Sequence, residues 1–123
     1  MAQFAREVMT RVHRDELRNA DPSDKTRLTL LKRARRLMVR EPRLLDGAAR
    51  ARLQQALEQS QTLHTVYTMK QKLADVWQRS ATTQENLIQA LQDWCREAEA
   101  TGIRELREFS NKLRTYSLVQ ATA

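Results

Sequence analysis

Only two glycines and two prolines occur in 123 residues, and this scarcity restricts the fold more than any other feature. Tight hairpin turns draw on Gly, Pro, Asn and Asp. A chain so poor in Gly and Pro lacks material for the many turns of an all-β protein, which argues for a few long helices. The apolar residues agree, since they recur at three- and four-residue spacings that place them on one face of a helix.

The expected fold is all-α, a bundle of five to six amphipathic helices with short connections. A first helix over about 2–19 carries Phe4, Val8 and Val12, with Met9 widening its stripe. Asp21-Pro22 ends it, because proline disfavours a helical residue before it. Ser23 or Asp24 is a candidate cap for a second helix over about 25–40. Leu28, Leu31, Ala34, Leu37 and Met38 form its apolar face, and Arg27, Lys32, Arg35 and Arg36 the opposite one. Glu41-Pro42 stops it. Asp46 should cap a third helix to about Gln59, and Ser60 a fourth to about Arg79. Thr82 to Glu85 reads as a capping box for a fifth helix ending near Thr101. Gly102 suits the left-handed position just past a helix end, and a last helix runs from Ile103 to about Tyr116. The whole, 1–123, reads as a single helical domain or fragment, with 1–22 a truncated first helix and 117–123 a fraying tail.

The charge is uneven. Residues 1–52 hold fourteen Lys/Arg against seven Asp/Glu, and residues 53–123 hold eight of each. The positive excess therefore lies in the N-terminal half and favours polyanions. Between Lys25 and Arg43 eight basic residues face one glutamate. Lys32, Arg33, Arg35, Arg36, Arg40 and Arg43 are the candidate polyanion-binding residues. Nucleic acid would meet them through phosphates, and an anionic membrane surface would use the same cations beside Leu28, Leu31, Leu37 and Met38. An ordinary solvated face explains such a run equally well.

Nothing in the sequence supplies chemistry. Metal sites need several converging His, Cys or carboxylate ligands, but His13 and His64 lie far apart and neither has a ligand at i+3 or i+4. Each reads as a solvated or half-buried histidine. Cys95 has no nearby histidine to act as its base and reads as a core or boundary thiol, compatible with a reducing cytosol. Glu97 and Glu99, like Glu105 and Glu108, interleave with arginines as surface ion pairs do. No catalytic residue, metal site, cofactor or small-molecule substrate is expected. Trp77 and Trp94 fall on apolar stripes and are expected as buried anchors. The longest apolar run is three residues, too short to span a bilayer, so the expected location is cytoplasmic, with a membrane-peripheral placement as the alternative.

The stretch KRARRLMVREPRLLDGAARARLQQALEQSQTLHTVYTMKQKLADVW, followed by LQDWCREAEATGIRELREFSNKLRTYSL, resembles a helical region at the C-terminal end of proteobacterial membrane fatty acid desaturases. It is also similar to a helical segment of insertion-sequence transposases with a DDE-type catalytic core. The resemblance covers about residues 28–118, and LQDWCREAEATGIRELREFSNKLR is its most specific part. The desaturase version implies a di-iron enzyme with three histidine boxes, none of which occurs here. The transposase version implies an Asp/Asp/Glu core, from which no carboxylate can be assigned. Either way the chain corresponds to a non-catalytic accessory region whose partner is a catalytic core or the rest of a larger protein. The ending after LRTYSLVQATA favours the desaturase version, with Met1 an internal methionine. The expected function is thus to support or dock a desaturase core. The alternatives are a transposase segment contacting DNA or a partner through the basic second helix, and a free-standing interaction domain.

Overall fold

In the computed structural model the backbone is described for residues 2–78 and 84–122, and side chains for 3–77 and 85–115. The chain is all-α, with no strand among the described residues. The first helical run, 2–19, has three parts: α1 (Ala2–Phe4), a π-helical turn (Ala5–Met9) and α2 (Thr10–Asn19). Then follow α3 (Lys25–Met38), a 3₁₀ turn (Pro42–Leu44), α4 (Gly47–Glu58), α5 (Gln61–Gln78), α6 (Gln84–Ala100) and α7 (Arg104–Thr122).

Local chemistry sets most of these boundaries. Asp24 rather than Ser23 caps α3, its carboxylate accepting from the Arg27 amide at 3.1 Å. Ser23 is engaged by Asp21, which accepts from both its amide and its hydroxyl and whose carboxyl they lower below its ordinary value. Asp46 caps α4 through the Ala49 amide at 2.7 Å. Ser60 accepts from the Leu63 amide at 3.1 Å, opening α5. Gly102 separates α6 from α7 with φ of 76°, a left-handed conformation that glycine reaches without steric cost. The capping box at Thr82 lies outside the described residues. The last helix continues past Tyr116 to Thr122, because no glycine or proline follows Gly102 to stop it.

The π turn was not legible in the sequence. It adds a residue to one turn of the ladder and so shifts the helical phase. Phe4, Val8, Met9 and Val12 are all buried along this run.

The contacts divide the chain into two compact units, 2–67 and 68–123. The buried apolar side chains of the first include Phe4, Val8, Leu31, Ala34, Met38, Leu53 and Leu63. Burial of such side chains is its main stabilisation, at roughly 1.5–3 kcal/mol for each large one before entropy is counted. Two of its buried polar side chains, His13 and Ser60, are hydrogen-bonded across helices. The His13 ring donates from Nε2 to the Leu31 carbonyl, with N···O of 2.5 Å, tying α2 to α3. The Ser60 hydroxyl donates to Glu16. His13 is therefore a buried tether instead of a solvated or half-buried ring, because its position continues the Val8–Val12 face.

The second unit is organised by Trp94. Only 3% exposed, it donates its indole N–H to the Met69 carbonyl at 2.9 Å. It also meets Phe109 edge to face, with ring centroids 5.9 Å apart. Such a pair adds about 0.5–1.5 kcal/mol beyond area burial. Trp77 does not share this role and is 41% exposed. Its position follows the Leu63–Val66–Leu73 stripe, but it sits in the last turn of α5. A stripe fixes the direction a side chain takes, not whether another element covers it.

Candidate nucleic-acid interface

Three of the six predicted cations come together. Lys32, Arg33 and Arg36 are exposed on the outer face of α3, whose inner face buries Leu31, Ala34 and Met38. The α-helical repeat puts Lys32 and Arg36 one turn apart with Arg33 beside them. Together with Leu37 and Arg52 of α4 they line an open recess of about 400 Å³. Among the described residues, none of these four cations makes a hydrogen bond or ion pair. No acidic residue occurs between Asp24 and Glu41, so α3 carries no carboxylate to neutralise them. Like charges one turn apart cost about 0.2–0.5 kcal/mol per pair. The recess is thus a pocket of uncompensated positive charge.

The other predicted cations are placed differently. Arg35 sits on the flank of α3 and donates to the Thr10 hydroxyl at 3.4 Å. Arg40 is exposed beyond the end of α3. Arg43, in the 3₁₀ turn, is paired with Glu41 at 2.6 Å, so its charge is already answered locally. The outer face expected to hold Arg27 does not. Arg27 is half-buried and donates through Nε and Nη2 to the Gln59 carbonyl at 3.2 and 2.9 Å. Its place outside is taken by Arg33. Arg52 was missed altogether. Fifteen or more residues of chain separate it from the α3 cations, and helical periodicity does not report which neighbouring helix brings a charge close.

The apolar face of α3 also bears on the membrane reading. Leu31, Ala34 and Met38 are buried in the unit, and Leu28 and Leu37 are half-buried. The stripe that a membrane-surface helix would insert is turned inward. No helix of the described residues is long and apolar enough to cross a membrane.

The groups with reactive potential are used structurally. Cys95 is buried, its thiol directed at the Ser110 carbonyl at 3.8 Å, and burial pushes it above the ordinary thiol range. The Ser110 hydroxyl donates to Glu99 at 2.9 Å, as does Nε of Arg114 at 2.9 Å. The Ser110 hydroxyl and, next to it, Arg114 hold the Glu99 carboxyl below its ordinary value. This network ties α6 to α7. Among the described residues no three His, Cys, Asp or Glu side chains converge as metal ligands would.

A family model described as "Transposase", of the DDE type and ISL3 group, matches residues 1–118. The transposase for insertion sequence element IS1001 of Bordetella parapertussis is 33% identical over 118 residues. That similarity covers 94% of this chain and 28% of the Bordetella protein, so the chain spans little more than a quarter of that relative's length. No solved structure matches it. Nothing found supports a desaturase. That expectation is corrected: it rested on a generic amphipathic pattern without a histidine box and on where the sequence ends, neither of which marks a desaturase. Of the two resemblances the transposase one holds, and the chain belongs to the ISL3-type family of DDE transposases.

Proposed function

We propose that this chain is an accessory helical region of an insertion-sequence transposase and contacts DNA through the basic outer face of α3. The observation that carries this reading is the outward clustering of Lys32, Arg33 and Arg36, unpaired among the described residues, on a helix whose apolar face is already buried. Cations in that state are available to phosphates, and phosphate contacts supply most of a protein's sequence-independent affinity for DNA. The reading gives the chain no catalytic step. Its Cys95, Glu99 and His13 are engaged in packing and hydrogen bonding, and the DNA-cutting chemistry is assigned to the rest of a transposase.

The test compares duplex DNA with anionic vesicles at matched ionic strength, for the unmodified chain and a Lys32/Arg33/Arg36→Gln variant. The expected result is duplex binding by the unmodified chain, lost in the variant, with little vesicle binding. A membrane role would instead show preference for anionic over neutral vesicles, at about 1 kcal/mol per basic residue near the surface. Equal duplex binding by both proteins would remove α3 as the contact surface.

A further inference from the structure

We infer that the recess between α3 and α4 is a phosphate clamp for one strand of duplex DNA, and that Arg52 completes it. The inference rests on the DNA-contact reading and adds a residue from a second helix, a ligand group and a mode of recognition. Lys32, Arg33 and Arg36 approach the recess from α3, and Arg52 approaches it from α4. Four cations with no hydrogen-bond or ion-pair partner among the described residues surround one space, and no carboxylate of those residues lines it.

The ligand class follows from the lining. A site for a small carboxylate or nucleotide would combine charge with neutral hydrogen-bonding groups and enclosing apolar walls. Here the only uncharged lining residue is Leu37. A single-strand site would present aromatic rings for bases to stack on, and none lines the recess. Base reading by Asn or Gln is equally absent from the lining. What remains is a row of positive charge. Along α3, Lys32 and Arg36 are separated by about 6 Å of helix rise. Successive phosphates of one strand advance about 3.4 Å along the duplex axis, so flexible cations at this spacing bracket adjacent phosphates. Arg52 closes the row from the other side. Such contacts fix position on the duplex and carry no sequence information.

The experiment measures binding of two short duplexes of unrelated sequence between about 50 and 200 mM salt. It uses the unmodified chain, Arg52→Gln and Arg52→Lys. Each phosphate contact contributes about 0.9 to the slope of log K against log salt. The expected result is that Arg52→Gln makes the slope shallower by about 0.9 for both duplexes alike. Arg52→Lys keeps the slope, because a point charge suffices for phosphate. The clamp is overturned if Arg52→Gln binds with the unmodified affinity and slope while Lys32/Arg33/Arg36→Gln abolishes binding, an outcome that leaves the DNA reading standing. A preference of about tenfold or more for one duplex would mean base readout and would also overturn it. So would tighter binding to a single strand of the same length. No duplex binding by the unmodified chain at the lowest salt would overturn both the clamp and the DNA reading.

Discussion

The two units use the same charged residue types for opposite ends. In 68–123 four basic side chains are spent on internal ion pairs. Lys72 pairs with Glu97 at 2.6 Å, Arg96 with Asp93 at 2.5 Å, Arg104 with Glu105 at 3.1 Å and Arg114 with Glu99 at 2.9 Å. In 2–67, where fourteen Lys/Arg meet eight Asp/Glu, four cations around one recess have no such partner among the described residues. A charge with a carboxylate beside it helps to orient helices. A charge held among like charges raises the energy of the free protein slightly and lowers it again when a polyanion arrives. The difference teaches that net charge alone does not identify a binding face; the absence of local answers to that charge does.

The largest way to separate the units is through their cores. Trp94→Ala should destabilise by about 3–5 kcal/mol, the usual cost of emptying a buried aromatic site. Trp77→Ala should cost far less, about 1 kcal/mol or below, as a side chain already 41% exposed has less burial to lose. Chemical denaturation of both variants checks the contrast, and equal losses would contradict the placement of Trp77.

A smaller effect concerns Glu99. Because its folded carboxyl is held below the ordinary value near 4.5, its contribution is fully present above that value. It fades as pH falls through the lowered folded value. Glu99→Gln should therefore cost about 1 kcal/mol at neutral pH, reduced by partial exposure, and flatten the acid limb of a stability–pH curve. An unchanged acid limb would show that the Ser110–Glu99–Arg114 network does not hold α6 to α7. In the same unit, Cys95 should react with a thiol reagent near neutral pH much more slowly in the folded chain than in denaturant. Its burial raises the thiol and blocks access. Equal rates would place it at the surface.

The smallest stability effect belongs to the basic recess. Lys32/Arg33/Arg36/Arg52→Gln should leave the thermal midpoint unchanged or raise it slightly, within about 0.5 kcal/mol, since it removes repulsion and breaks no hydrogen bond or ion pair among the described residues. A clear loss of stability would mean that these cations hold the fold as Arg114 does.

Much of this arrangement was legible residue by residue. Asp46, Ser60 and Gly102 mark helix ends because capping is a local event, decided within four residues. The inner face of α3 was legible from spacing, as was the placement of Lys32, Arg33 and Arg36 on its outer side. What escaped depended on distant chain. Arg27 turns to the Gln59 carbonyl and Arg52 reaches the α3 cations only because α3 and α4 pack together. Trp77 follows its stripe to a turn where burial is incomplete. The π turn at Ala5–Met9 has no local sequence signal that periodicity detects. The functional family was the least legible of all, since helical pattern is shared by unrelated proteins and the catalytic carboxylates that would define a transposase cannot be assigned here.

The account stands most directly on the salt dependence of duplex binding by the unmodified chain. Four phosphate contacts predict that log K falls linearly with log salt at a slope of about −3.6, with the Lys32/Arg33/Arg36/Arg52→Gln variant close to zero. A slope shared by the two proteins, or no binding by either at low salt, would contradict it.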